Sequence, residues 1–115
     1  MYEYNAECLR VIDGDTIVAR IDLGFDLWAK KTIRLEGINA PESRTRDLEE
    51  KKRGLIAKGF VVDIMREYDN KFELHSKKVG KYGRCLGKIY FPKGELGSIM
   101  IKEGHAVPYY GKKKI

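Results

Sequence analysis

The apolar residues of this chain change their period twice, and that change narrows the possible folds more than any other feature. In TIVARIDL (16–23), Ile17, Ala19, Ile21 and Leu23 alternate with Val18, Arg20 and Asp22, the period of two expected of a half-buried strand. ECLRVID (7–13) is strand-like too, and in KKTIRLEGI (30–38) Ile33 and Leu35 alternate with Arg34 and Glu36. Between about Leu48 and Tyr68 the spacing becomes helical, with Leu55, Ile56, Phe60, Val61, Ile64, Met65 and Tyr68 three and four apart. Strand patterns return at KFELHS (71–76) and RCLGKIYF (84–91), and Leu96, Ile99 and Met100 mark a short helix that stops at Gly104. The order β-β-β-α-β-β-α predicts an α+β, mainly β fold. This is a five-stranded OB-like Greek-key barrel with one long and one short helix, a layout that offers a strand face and its neighbouring loops to oligonucleotides.

The punctuation agrees with these elements. Asp13-Gly14 and Gly24-Phe25-Asp26 read as turns, and Pro41 ends the third strand. Ser43 or Thr45 is placed to cap the long helix, and Asp47, Glu49 and Glu50 favour its positive end. Gly54 and Gly59 weaken it. With 115 residues the chain holds one domain, 1–115, ending in a basic tail at about 111–115.

No apolar run reaches the roughly 18–20 residues that span a membrane. MYEYNAECLRV lacks the pattern of an export signal, so a cytoplasmic protein is expected. Cys8 and Cys85 belong to no CxxC or Cys/His cluster, which argues against zinc, and they are expected to be reduced thiols, although the sequence alone leaves a bridge open. A net charge of +6 and a pI of about 9.3 favour polyanionic partners.

Four segments place polar groups at strand ends or loops. In Asp13-Gly14-Asp15-Thr16, Asp15 shares the parity of Ile17 and points toward the barrel interior at its mouth, where a carboxylate needs donors or a hard cation. Taken alone, the segment also reads as an ordinary hairpin turn. In the stretch from Arg34 to Glu42, Arg34 offers a fork of donors suited to two phosphate oxygens, and Asn39 and Glu42 flank a proline-stiffened loop. A surface strand with ordinary ion pairs is the alternative. Gly80-Lys81-Tyr82-Gly83-Arg84 supplies a second arginine, a lysine and an aromatic, or a solvated hairpin loop. In the segment from Gly104 to Lys114, Tyr109 and Tyr110 are suited to stacking and the lysines to phosphates, unless this is a basic tail covering the barrel. His75 and His105 stand singly and read as surface or packing residues.

Together and in this order, VIDGDTI (11–17), IRLEGINAPES (33–43), KYGRCLGKIY (81–90) and EGHAVPYYG (103–111) resemble the staphylococcal nuclease (thermonuclease) family, over residues 7 to 111. The resemblance implies calcium-dependent hydrolysis of DNA and RNA to 3′-phosphate and 5′-hydroxyl products by a monomer, with single strands preferred. It places Asp15 at the calcium-binding position. Asn39 falls where a second ligating Asp is usual, with the Ala40 carbonyl beside it, and Asp13 and Thr16 support the site. Glu42 matches the residue proposed to activate water, and Arg34 and Arg84 match the two phosphate-binding arginines. Lys81 and Tyr82, and Tyr109 or Tyr110, match substrate contacts. Asn39 departs from the pattern by removing one negative charge, which implies weaker calcium binding or a different preferred divalent ion. The absence of an export signal suggests an intracellular protein, bacterial or phage-encoded. The competing readings are a catalytically weak nucleic-acid-binding OB domain and a purely structural barrel.

Overall fold

The computed structural model describes residues 2–79 and 84–109, with side chains described for 2–76 and 85–109. Lys81, Tyr82, Tyr110 and the basic tail lie outside the described residues, as does the side chain of Arg84. Strands β1 (Tyr2–Asp13), β2 (Thr16–Gly24) and β3 (Leu27–Leu35) form an antiparallel meander, and a two-residue β4 (Ile38–Asn39) follows. Helix α1 (Leu48–Glu67) crosses to β5 (Lys71–Val79), which pairs with β6 (Arg84–Phe91). A short β7 (Gly94–Glu95), α2 (Leu96–Lys102) and β8 (Val107–Pro108) complete the order.

Two pairings turn this ribbon into a closed five-stranded barrel. The first half of β1 pairs with β5, Tyr2 to Glu7 facing Ser76 to Lys71, while its second half pairs with β2. One long strand therefore serves two neighbours. The parallel pairing of Thr32–Leu35 with Arg84–Gly87 then joins β3 to β6. Full closure removes the exposed edges that an open sheet would leave.

The alternation read from the sequence places the core correctly. Ile17, Ala19, Ile21, Ile33 and Leu35 are buried, with Leu74, Cys85 and Ile89 from the other side. Each large aliphatic side chain removed from water stabilises the fold by roughly 1.5–3 kcal/mol. Leu23 breaks the pattern and is 47% exposed, because β2 has by then left the barrel for a projecting hairpin. The tip of that hairpin, Phe25-Asp26, takes positive φ at both residues, which matches the right-handed twist of its strands. The third predicted strand also splits, since Gly37 at φ +87 turns the chain between β3 and β4.

Helix α1 is capped by Asp47, whose carboxylate accepts from the backbone N–H groups of Glu49 and Glu50, and not by Ser43 or Thr45. It buries Gly54, Ala57, Val61, Ile64 and Met65, while Leu55 and Ile56 face solvent. Val61, Ile64 and Met65 are buried as expected, and the stripe departs from expectation in the first turns, where a glycine lies at the closest approach. A Cβ on Gly54 would sit 2.2 Å from the Glu42 carbonyl oxygen and 2.6 Å from the Ser43 nitrogen. Gly14, in the β1–β2 turn, is confined too, its would-be Cβ lying 3.0 Å from Ala40 Cβ and Met100 Cε. Helices α1 and α2 and the loop after β4 thus all close on the turn that carries Asp15.

Both cysteines are buried free thiols, as expected. Burial pushes the Cys8 thiol above its usual range, partly offset by a backbone hydrogen bond at Arg10.

The two glycines of α1 give opposite expectations. Gly59→Ala, which meets nothing within 4 Å, should stabilise the protein by about 0.8–1 kcal/mol in denaturant titration. Gly54→Ala should instead destabilise it by about 1–3 kcal/mol, because backbone has to move to admit the methyl group.

Candidate active site

Asp15 follows the tightly packed Gly14, and its carboxylate is held below the barrel rim, 7% exposed. Burial demands donors, and three groups supply them. The Thr16 hydroxyl donates to Oδ1 at 2.9 Å, the Ala40 N–H donates to Oδ2 at 2.9 Å, and the Arg34 guanidinium lies 3.6 Å from Oδ2. The peptide oxygen of Asp15 accepts from the Leu35 N–H at 2.8 Å, which locks the turn to the end of β3.

Arg34 reaches the site from the outward parity of β3, paired in register with Thr16. One of its terminal nitrogens donates to the Leu35 carbonyl at 2.6 Å, while the other reaches both Asp15 and the Asn39 side-chain oxygen, the latter at 3.4 Å. A single guanidinium nitrogen therefore bridges the two oxygens that the sequence nominates as metal ligands. The Tyr109 ring lies 5.8 Å from the same guanidinium, within cation–π range. Tyr109 is held there by the β4–β8 ladder and by its own N–H, which donates to the Gly37 carbonyl.

Asp13 does not join this group. Its Oδ1 accepts from the Ser43 hydroxyl at 2.5 Å and the Ser43 N–H at 3.0 Å, pinning the loop after Pro41 to the end of β1. Glu42 stands on that pinned loop. Its N–H donates to Glu50 on α1, and among the described residues its exposed carboxylate has no hydrogen-bond or ion-pair partner. That leaves it available to take a proton. Asp13, Asp15, Thr16, Arg34, Asn39, Ala40 and Glu42 all line one cleft of about 390 Å³, together with Ile12, Thr32 and Arg44. Arg84 opens β6 with its backbone in register with Thr32 on that rim, one strand away from Arg34.

Three participants escaped the sequence reading. Ser43, only 3% exposed, is a loop anchor where a helix cap was expected. Thr32 and Arg44 line the cleft, and the outward parity that Thr32 shares with Arg34 was the available signal for it. A larger groove of about 710 Å³ elsewhere on the barrel includes Arg20, Trp28 and Tyr90 and shares no residue with the cleft. Glu3, Glu73 and His75 bring ligand atoms within 4.8 Å of one another on the β1–β5 ladder. There His75 is already hydrogen-bonded to Glu73 and packed against the Tyr90 ring. His105 packs against Phe60.

The ligand atoms that line the cleft are oxygens, from the carboxylates of Asp13, Asp15 and Glu42, the Asn39 amide and the hydroxyls of Thr16 and Thr32, with the guanidinium groups of Arg34 and Arg44 beside them. Hard cations take such ligands. Residues 32–114 match the family model of staphylococcal nuclease homologues. The chain belongs to the staphylococcal nuclease family. It is 31% identical to a micrococcal nuclease of Shigella flexneri, over 96% of this chain and 62% of that protein. It is 26% identical to a thermonuclease of Staphylococcus hyicus, over 90% of this chain and 59% of that protein. The chain thus spans about three-fifths of the length of these relatives. The Asp15 turn lies before the start of the family match, so its place in the cleft rests on the geometry.

If the Asp13–Ser43 pair anchors the Glu42 loop, Ser43→Ala should cost about 1.5–3 kcal/mol of stability, the usual loss for a hydrogen bond to a charged group. Urea unfolding of the wild type and the variant measures it, and unchanged stability would show that the loop is held by other contacts.

Proposed function

We propose that this protein is a divalent-metal-dependent nuclease that hydrolyses phosphodiester bonds of DNA and RNA. The observation that carries this reading is the convergence of Asp15, Asn39, Arg34 and Glu42 on one cleft. The nuclease names of both relatives support it. Calcium and 3′-phosphate products are the finer form of the proposal, and single strands are the favoured substrate because a cleft of about 390 Å³ admits one backbone more readily than a rigid duplex.

In this reading Asp15, Asn39 and the Ala40 carbonyl hold the ion. When bound, the ion opposes the negative charge that builds on the phosphate oxygens and acidifies nearby water. The remaining work belongs to side chains. Glu42, mounted on a pinned loop and without a partner among the described residues, takes a proton from the attacking water. Arg34 and, by family position, Arg84 donate to the phosphate oxygens and oppose the charge that develops there in the transition state. Tyr109 lies against Arg34 and limits the directions in which the guanidinium can turn. Tyr110, Lys81 and Tyr82 are assigned to substrate contacts by family position alone.

Arg34 has a second role in the absence of substrate. It neutralises Asp15 across 3.6 Å and satisfies Asn39, so the buried carboxylate is never left unpaired. An arriving phosphate competes for the same donors.

Incubation of the protein with labelled single-stranded DNA, with calcium or with chelator, tests the proposal. Cleavage is expected only with a divalent ion, and Glu42→Gln should lower the rate by about 10²–10⁴, the usual contribution of a general base. Arg84→Ala should bring it close to zero. Binding without cleavage under every ion tried would favour a nucleic-acid-binding barrel, a reading that Asn39 supports by withholding one negative charge.

A second test isolates the ion. Asn39→Asp should tighten calcium about tenfold in calorimetry, a modest share of the roughly 4 kcal/mol by which two unit charges 4 Å apart interact at an effective dielectric near 20. No tightening would remove Asn39 from the ligand set.

A further inference from the structure

The outward face of β1–β2–β3 continues past the cleft. In register across the strands, the row Thr16–Arg34 belongs to the cleft, the next row is Arg10–Val18–Thr32, and the one after it pairs Arg20 with Lys30. Arg10, Lys30, Lys31, Thr32, Val18 and Leu9 line a separate groove of about 510 Å³. Thr32 lines both this groove and the cleft, so the two are neighbours on the sheet.

The charges of the two hollows differ. The cleft mixes carboxylates with arginines, whereas the groove contains three cations and no carboxylate. Among the described residues, Arg10, Lys30 and Lys31 form no ion pair. Like charges gathered around one groove without a counter-charge cost electrostatic energy that an arriving polyanion recovers. The run of unpaired cations ends at Arg20, whose guanidinium is taken by Glu7 at 3.2 Å and lies 4.3 Å from the Trp28 ring centre.

We propose that this groove is an extended subsite for a single-stranded polynucleotide, in which Arg10 and Lys30 hold the backbone phosphates to one side of the bond cut in the cleft. The subsite rests on the nuclease reading of the cleft and adds to it a direction and a length. Arg34 and Lys30 are four residues apart on one strand, about 13 Å at roughly 3.3 Å per residue. Stacked nucleic acid advances about 3.4 Å per phosphate along one strand, so the two stand at most about four phosphate steps apart. A dinucleotide fills the cleft alone, while a dodecamer reaches both cations.

The test is the anisotropy of a fluorescent single-stranded dodecamer titrated with protein in chelator, where nothing is cleaved, at several salt concentrations. Removing one cation that neutralises a phosphate should reduce the slope of log affinity against log salt by about 0.7. The Arg10→Ala/Lys30→Ala double variant should therefore bind more weakly, with a slope shallower by about 1.4, while dinucleotide affinity stays at the wild-type value. Arg10→Lys/Lys30→Arg should restore the slope, which separates the effect of charge from that of structure. Lys58→Ala/Lys102→Ala removes the same charge from the two helices and should leave the slope unchanged. An unaltered slope in the first variant, or an equal fall in the helix variant, overturns the subsite. So does failure of the wild type to bind the dodecamer. Binding with the predicted slope changes but without cleavage under any divalent ion would support the subsite and refute the nuclease reading.

Discussion

A carboxylate in the mouth of a barrel has to be neutralised or solvated, and the way Asp15 is neutralised organises this molecule. Its two side-chain oxygens take a hydroxyl from β2, an N–H from the loop after β4 and a guanidinium from β3, and its peptide oxygen takes the N–H that ends β3. Four contacts therefore tie three stretches of chain to one residue. Gly14 makes room for the packing above it, with Ala40, Ala57 and Met100 pressing on the one position in the turn that carries no side chain. Stability and chemistry meet in the same few atoms, as is usual where a protein keeps a charged group below its surface.

A second clamp acts beside the first. Asp13 commits its carboxylate to Ser43, and Gly54 allows α1 to rest on the Glu42–Ser43 backbone. The result is a loop fixed on both sides that presents one carboxylate, Glu42, with no partner among the described residues. The two aspartates, two residues apart, therefore do different work. Asp15 faces the cleft chemistry, and Asp13 fixes the position of the group opposite it. Charge is distributed unevenly along the outer sheet face: carboxylates and arginines mix inside the cleft, and only cations line the groove beyond Thr32.

Much of the barrel was legible in the sequence because its strands alternate cleanly. Ile17, Ala19 and Ile21 on one side of Arg20, and Ile33 and Leu35 on either side of Arg34, state which face is inside, and RCLGKIYF marks β6 to the residue. The parity of Asp15 with Ile17 likewise foretold its burial. Other features follow from packing between distant segments, which periodicity cannot express. Leu23 keeps the inward parity, yet its strand has already left the barrel. Leu55 and Ile56 read as core, but the closest approach of α1 goes through Gly54, a residue whose value lies in what it lacks. Ser43 looked like a helix cap because its partner, Asp13, lies 30 residues away. The two-residue ladder of β4 and β8, which brings Tyr109 to Arg34, is too short to leave a pattern.

On the proposed mechanism, the Arg34 nitrogen shared by Asp15 and Asn39 stands where positive charge is required, and a divalent ion and a phosphate together redistribute that charge. A crystal structure of the protein soaked with calcium and a nucleotide diphosphate measures this directly. The expected outcome is an ion bound by oxygens of Asp15 and Asn39, with the Arg34 guanidinium turned onto the phosphate and the Arg84 side chain on the same phosphate. An ion bound elsewhere, such as beside Glu3, Glu73 and His75, with Arg34 still bridging Asp15 and Asn39, would overturn that mechanism.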